Sequence, residues 1–317
     1  MSKVLFFGTS EFAIPALEKL RAADYELAAV VTQPDKPAGR NQEPLPSPVK
    51  VWAEKDGIKL FQPPKLEIGN WKLEIPEAAL YVVASYGKLI PDQILNLPRL
   101  GSLNIHPSLL PKYRGPSPIH AAILNGDKET GVTIIKLDEQ MDHGPILANS
   151  KFQITNPKTG YKELHDKLAQ LGAELLIQTL PKYIAGEIKP KPQDHSEATF
   201  TKIVSKNDGR INWSNPAETT DRQIRAYEVW PVAWTTLDGK RLKIYSAAPM
   251  SVIPADEPES RKWIPGQARD DKKQGKLIIS CGTGELEILE LQLEGSRRMD
   301  ACDFLNGNPL GRSNILY

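Results

Sequence analysis

The sequence predicts an α/β fold built on a mainly parallel sheet, followed by a smaller all-β domain. Three observations carry that prediction. An apolar strand, a helix and a second apolar strand succeed one another within the first 32 residues; three more strand-like runs follow with helical stretches between them; and beyond about residue 200 the helical period gives way to short strands set off by turn residues. A chain of 317 residues is long enough for two such domains. Its 40% hydrophobic and 25% charged residues exclude a disordered chain, a collagen-like fibre and a disulfide scaffold.

Residues 3–8 form the first strand and end in Gly8-Thr-Ser10. Ser10 is placed to cap a helix whose apolar positions Phe12, Ala13, Ala16, Leu17 and Leu20 recur at helical spacing. Residues 27–32 make the second strand. Runs at 80–84, 102–106 and 131–137 supply the rest of a Rossmann-like sheet covered on both faces, whose ligand site lies beyond the carboxyl ends of its strands. Residues 33–48, with five prolines, are too proline-rich for regular structure and are expected as a long functional loop carrying Lys36 and Arg40. A helix is predicted to start near Ser47, and a long one over 160–185, where Leu164, Leu168, Leu171, Leu175, Ile177 and Leu180 keep helical spacing. Lys189-Pro-Lys-Pro-Gln193 has the composition of a semi-rigid linker, which divides the chain into 1–188, a linker 189–205 and a domain 206–317. In that last part a helix over 215–226 precedes strands at 233–237 and 241–246, joined by the hairpin signal Asp238-Gly239, and strands at 276–280 and 285–291. The pattern suggests an OB-like β-barrel. Residues 253–274, charged and interrupted by proline, are expected as a solvated insertion without a folded role.

Charge and cysteine content narrow the setting. Lys+Arg number 40 against 39 Asp+Glu, so any nucleic-acid partner must be met by local basic clusters. Cys281 and Cys302 lack metal-site or Cys-x-x-Cys spacing and are expected as free thiols, with no structural metal. No apolar run approaches the ~18 residues of a membrane span, and the N-terminus turns polar at Thr9-Ser10-Glu11, too early for a signal-peptide core. A cytoplasmic protein is expected. Gly8 lacks the further glycines of a dinucleotide fingerprint, and the chain holds no P-loop.

The densest chemistry lies in Gly101-Ser-Leu-Asn-Ile-His-Pro-Ser-Leu-Leu-Pro-Lys-Tyr-Arg-Gly115. Side chains on a strand alternate, so Asn104 and His106 face one side and Ile105 the other. An amide donor and an imidazole aimed at one spot are what acyl transfer to an amine needs: a donor for the developing oxyanion, and a group that moves a proton. Alone, the pair is as much at home in a structural role. Asp142, on a glycine-containing turn after the 131–137 strand, adds a carboxylate able to orient the imidazole and balance its charge.

Asn104-Ile-His106, Ser108-Leu-Leu-Pro111 and Asp142-His-Gly144 together resemble the motif of the folate-dependent formyltransferases. Thr32-Gln-Pro-Asp-Lys-Pro-Ala-Gly-Arg40, Pro46-Ser-Pro-Val-Lys50 and Ala226-Tyr-Glu-Val-Trp-Pro231 extend the resemblance over nearly the whole chain, toward the branch that acts on charged tRNA. The resemblance implies catalysis by Asn104, His106 and Asp142, and a 10-formyltetrahydrofolate pocket lined by Ser108, Leu109, Leu110, Pro111, Tyr86, Gly87 and Leu89. It further implies formyl transfer to the α-amine of methionyl-initiator-tRNA by a monomer, with tRNA contacts from Lys36, Arg40, Lys112 and Lys206, an OB-like tRNA-binding domain, and no metal or nucleotide.

Some positions depart from the family pattern. Asn41, Gln42 and Glu43 stand where the family usually carries a glycine and lysines, and His143 and His120 replace a usual threonine and glutamine. Two other readings share these residues: a sugar-amine N-formyltransferase with the same donor, and a catalytically silent RNA-binding protein on a barrel platform. The tryptophans Trp213, Trp230 and Trp234 of the second domain favour the tRNA reading over a nucleotide-sugar site.

Overall fold

The computed structural model describes residues 2–38, 43–69, 75–250, 266–271, 276–308 and 316. Two compact units are present. The first comprises Met1–Pro118, Lys128–Thr155 and Leu164–Lys202, and the second Ile119–Asp127, Asn156–Glu163 and Ile203–Tyr317.

In the first unit the strands are β1 (Val4–Gly8), β2 (Leu27–Val31), the short pair β3 (Lys36–Ala38) and β4 (Glu43–Leu45), then β5 (Leu60–Phe61), β6 (Leu80–Ala84), β7 (Ser102–His106), β8 (Glu129–Lys136) and β9 (Ile146–Gln153). Seven of them form one sheet in the order β5-β2-β1-β6-β7-β8-β9. From β5 to β7 all pairs are parallel, and the central β1 and β6 are buried along their whole length, on both faces, as parallel sheets require. β8 and β9 are antiparallel additions. An apolar run looks the same whichever way it points, so the reversal at β8, and β9 itself with its alternating burial, were not visible in the sequence pattern.

Three local expectations are corrected. Ser10 does not cap a helix: its hydroxyl donates to Ser85 Oγ at 2.6 Å, and a 3₁₀ turn, Glu11–Ala13, leads into the helix Ile14–Ala22. The proline-rich stretch is not irregular throughout, since β3 and β4 pair antiparallel with Pro37 opposite Pro44. Two residues without N–H donors facing each other occupy a non-hydrogen-bonded position of the ladder, where proline removes no bond. Finally, the presumed linker is in its first part bonded into this unit, Lys191 and Ile146 exchanging backbone bonds of 2.8 Å.

Ser47 caps the helix Pro48–Lys55 by accepting from the Lys50 amide, at the place the sequence indicates. The long helix Tyr161–Ile184 buries Leu164, Leu168, Ala173, Leu176 and Leu180. Its Gly172 lets it approach the sheet closely: a Cβ there would lie 2.6 Å from Ile105 Cγ2 on β7.

The second unit holds β10 (Ala233–Leu237), β11 (Lys240–Met250), β12 (Ala268–Asp271), β13 (Lys276–Ser280), β14 (Glu285–Leu293) and β15 (Met299–Asp300). They make an antiparallel sheet in the order β10-β11-β14-β13-β12, with β15 on β14. Asp238 and Gly239 both have positive φ, the two-residue turn that suits the right-handed twist of a hairpin. The core joins Ile211, Trp213, Ile224, Leu242, Ile288 and Phe304. β12 lies inside the segment expected to be a solvated insertion. Ala268 is fully buried and the strand pairs with β13, so 266–271 has a folded role, while 253–265 and 272–274 lie outside the described residues. Its charged composition concealed a strand whose alternate position, Ala268, is small and apolar.

Candidate active site

β7 delivers the first two functional side chains by simple alternation. Ile105 turns toward Gly172 of the long helix, and Asn104 and His106 project from the opposite face. The third arrives on the turn after β8, where Asp142 takes the left-handed conformation, φ 50°. Its Oδ2 accepts from the Gly115 amide at 2.7 Å. Its Oδ1 lies 3.4 Å from Asn104 Nδ2 and 3.5 Å from His106 Nδ1. One carboxylate oxygen is thus shared between the amide and the imidazole, at the carboxyl end of β7.

His106 is held at its other end by the Tyr113 carbonyl, 2.9 Å from Nε2. A carbonyl only accepts, so Nε2 carries hydrogen and Nδ1, facing the carboxylate, is the nitrogen left to take up a proton. With both nitrogens protonated the ring is hydrogen-bonded at one end and charge-balanced at the other. His106 is 4% exposed and the Asp142 side chain 12%, so solvent screens this pair little. The arrangement can donate a hydrogen bond to a developing oxyanion and accept a proton within the same few ångströms.

The segment after β7 is shaped by Thr133, which stands opposite His106 on β8. Its hydroxyl donates to the Ser108 carbonyl at 2.7 Å and accepts from the Leu110 amide at 3.1 Å, while Ser108 Oγ donates to the Lys112 carbonyl at 2.6 Å. The Leu110–Pro111 peptide is cis. Ser108 and Leu110 are buried and Leu109 and Pro111 partly so, which makes Ser108 a shaper of this turn.

Beyond β6 the expected pocket residues divide. The Tyr86 ring is part of the core with Leu5, Val83 and Ile94, edge-on to Phe7. Burial pushes its phenol up to about 12, and its hydroxyl has no hydrogen-bond partner among the described residues. As a lining side chain Tyr86 is therefore corrected: it faces the core, and its carbonyl accepts from Thr9 Oγ1 at 2.8 Å and Gln33 Nε2 at 2.7 Å. Gly87 follows with φ 76°, and Leu89 is 76% exposed, an apolar side chain presented to solvent.

Of the basic residues, Lys36 is exposed on β3, and Lys112 is exposed with its Nζ 4.6 Å over the Tyr113 ring. In the second unit Lys206 is exposed at the start of the 3₁₀ turn Lys206–Gly209, and Arg40 lies outside the described residues. No group of three or more His, Cys, Asp or Glu suited to a metal ion occurs among the described residues, and none of their helices is long and apolar enough to cross a membrane.

Comparison with known proteins decides the family. The formyl transferase family model matches residues 2–180, and the model for the formyl transferase C-terminal domain matches 203–309. The chain belongs to the formyl transferase family. This formyl transferase is 44% identical over 309 residues to the methionyl-tRNA formyltransferase of Chloroflexus aurantiacus, covering 96% of each chain. It is 42% identical over 316 residues to that of Acetivibrio thermocellus, covering 99% of each. Among solved structures it is similar to HypX from Aquifex aeolicus in complex with tetrahydrofolic acid, with a TM-score of 0.65 at 18% identity. That match covers all of this chain and half of HypX, so the formyl transferase spans about half the length of that relative.

Sequence reasoning missed two residues of this formyl transferase site. Arg114 is 4% exposed; its Nε and Nη2 donate to Gln193 Oε1 at 3.1 and 2.7 Å, and Nη2 lies 2.8 Å from His195 Nδ1. Gln193 Nε2 then donates to the carbonyls of Asp142 and Gly144, at 2.9 and 2.7 Å. Gly144 is required here because a Cβ would sit 1.9 Å from the Lys136 carbonyl oxygen. An arginine within the 101–115 motif was a signal for Arg114; Gln193, among prolines and lysines, gave none. His143, between these carbonyls, stacks on His195 at 4.1 Å and bonds Asp138 Oδ2 through Nδ1 at 2.7 Å. In the second unit His120 stacks on Tyr161, and Trp213 is the buried member of the tryptophan set, donating to Thr235 Oγ1, while Trp230 is 48% exposed and Trp234 lies beneath the Arg241 guanidinium.

Proposed function

We propose that the protein transfers the formyl group of 10-formyltetrahydrofolate to the α-amino group of methionyl-initiator-tRNA, acting in the cytoplasm as a monomer at the start of translation. The observation that carries this reading is the convergence of Asn104, His106 and Asp142 on one carboxylate oxygen in a chain whose relatives of that name match it from end to end.

Formyl transfer to an amine needs a neutral nucleophile, a stabilised tetrahedral oxyanion and a route for one proton. Asn104 Nδ2, only loosely held by Asp142 at 3.4 Å, is free to turn its donor to the oxyanion. His106 Nδ1 takes the proton as the new N–C bond forms and returns it to the folate nitrogen as the old C–N bond breaks. Asp142 balances the imidazolium charge between those events, held ready by Gly115. We assign folate binding to Ser108, Leu109, Leu110 and Pro111 after β7 and to Gly87 and Leu89 after the neighbouring β6, which offer apolar surface together with backbone groups. We assign the formyl-transfer chemistry to the part expected as 1–188 together with the bonded segment up to 202, and tRNA binding to 206–317, with Lys36, Arg40, Lys112 and Lys206 meeting phosphates.

The test is a substrate comparison. Purified protein with the formyl donor is given charged initiator tRNA, free methionine or an amino-sugar nucleotide, and the formylated product is identified. Formyl-methionine recovered only from tRNA supports the reading; a formylated sugar, or no product, overturns it.

A further inference from the structure

We infer that Gln193 is a positioning residue for formyl transfer, acting through Asp142 in concert with Arg114. The inference rests on the formyl-transfer reading above and concerns a side chain outside the catalytic trio.

Asp142 has to hold one oxygen midway between Asn104 and His106 while sitting in a left-handed backbone conformation that non-glycine residues seldom adopt. Such a conformation persists where the surroundings over-determine it. The turn is gripped from two sides. Directly, the Gly115 amide donates to Asp142 Oδ2. Indirectly, the amide group of Gln193 spans the turn, one nitrogen donating to the carbonyls on either side of His143. Gln193 is 6% exposed, and its own carbonyl oxygen is fixed by two donors of the Arg114 guanidinium.

The chemistry of the contact makes the amide specific. Both atoms facing Gln193 Nε2 are acceptors, and both groups facing Oε1 are donors, so only a side chain with a donor at one tip and an acceptor at the other satisfies them together. Arg114 and Gly115 are consecutive, so the same short stretch that supplies the amide for the Asp142 carboxylate also supplies the guanidinium that orients Gln193. Other charged and titratable groups near the clamp are His195, bonded to Arg114, and His143, stacked on His195 and bonded to Asp138. Neither touches the Gln193 donor contacts in place of the two carbonyls.

Gln193→Glu isolates the function. It keeps length and strengthens the pairing with Arg114, yet opposes a carboxylate oxygen to two carbonyl oxygens and loses both donated bonds. A role limited to satisfying Arg114 survives this change; a role in holding Asp142 does not. The wild-type protein is assayed first, and its failure to formylate charged tRNA refutes the parent reading, whereas normal activity with an inert substitution refutes this one. The expected result for Gln193→Glu is a fall in kcat of about ten- to a hundredfold, the scale of a displacement of about 1 Å in a catalytic group, with KM for tRNA and folate changed less than about twofold. In an Asp142→Asn background the same substitution should cost nothing more, because the residue it acts through is already disabled. An equal loss in both backgrounds, a loss confined to KM, or unchanged kcat overturns the inference. Should Gln193→Glu not fold, by thermal melting, Gln193→Asn is read by the same cycle: one methylene shorter, it cannot hold Arg114 and reach both carbonyls, and the same outcomes decide.

Discussion

Replacing Asp142 with asparagine tests the charge at the centre of the site while preserving its shape. Asparagine can keep the Gly115 bond through its carbonyl, but it then turns an N–H toward His106 Nδ1 and Asn104 Nδ2. The first contact occupies the lone pair that receives the proton, and the second sets donor against donor. The lost attraction is sizeable. A carboxylate and an imidazolium at the observed 3.5 Å interact by about 5 kcal/mol at an effective dielectric of about 20, and the asparagine dipole retains only part of it. A net loss of about 3–4 kcal/mol corresponds to roughly 10²–10³-fold in turnover. The charge matters when the proton is in transit, so the loss should appear in kcat, with KM for charged tRNA and for folate nearly unchanged. Steady-state kinetics with charged initiator tRNA, beside filter binding of the same tRNA, measure both. Turnover within tenfold of wild type, or a defect appearing as weakened binding, would refute the assignment of charge compensation to Asp142.

Asn104→Ala and His106→Ala should each lower turnover by at least ~10²-fold with tRNA affinity retained; near-normal turnover in either removes that residue from the mechanism. Gly144→Ala drives a methyl group into the Lys136 carbonyl, so the turn must shift; a lower melting temperature with a larger proportional fall in kcat is expected, and a wild-type kcat would show that the turn moves without consequence. Asp35 is held below the ordinary carboxylate range by hydrogen bonds from Lys50 and then Gln62. The stability it contributes is complete above its unfolded value of about 4 and is lost as pH falls through its lower folded value. The difference in urea midpoint between wild type and Asp35→Asn should therefore be constant from pH 5 to 8, as set by that ~4, and shrink below it; an unchanged difference at pH 3 contradicts this. Arg40→Ala should lower kcat/KM for charged tRNA by about tenfold at low salt, with the deficit shrinking as salt rises and folate-analogue affinity unchanged. Equal losses for tRNA and folate would place Arg40 in support of the pocket.

The legible parts of this protein were those in which one physical rule dominates. Asn104 and His106 could be put on one face because strand alternation leaves no choice, and the hairpin at Asp238-Gly239 because few dipeptides accept two positive φ values. Ser47 announced its helix through an unmet backbone donor. The misread parts were those in which composition and local geometry disagree. Prolines concealed the β3–β4 pair because their cost depends on which ladder position they occupy, information that belongs to the register. Charge concealed β12, in which Ala268 is buried. The family resemblance implies Tyr86 as a pocket residue, yet an aromatic ring next to a sheet gains more from the core than from solvent. Gln193 was hidden for a different reason: its partners are 79 and about 50 residues away, beyond any local pattern.

That separation has a consequence for synthesis of the chain. Tyr113, whose carbonyl holds His106, is itself tied through its amide to Thr199 Oγ1 at 2.8 Å, and Arg114 donates its amide to the Thr199 carbonyl and accepts from the Thr201 amide. Every strand of the seven-stranded sheet has been translated by residue 153, but the strap that steadies the trio follows 40 to 50 residues later. On the ribosome the scaffold can therefore assemble before its reactive centre is secured, and the last stretch to emerge from this unit works as a fastener drawn tight over a finished frame. A genetic split that cut the chain at 188 would separate frame from fastener; a cut after 202 would keep them on one piece.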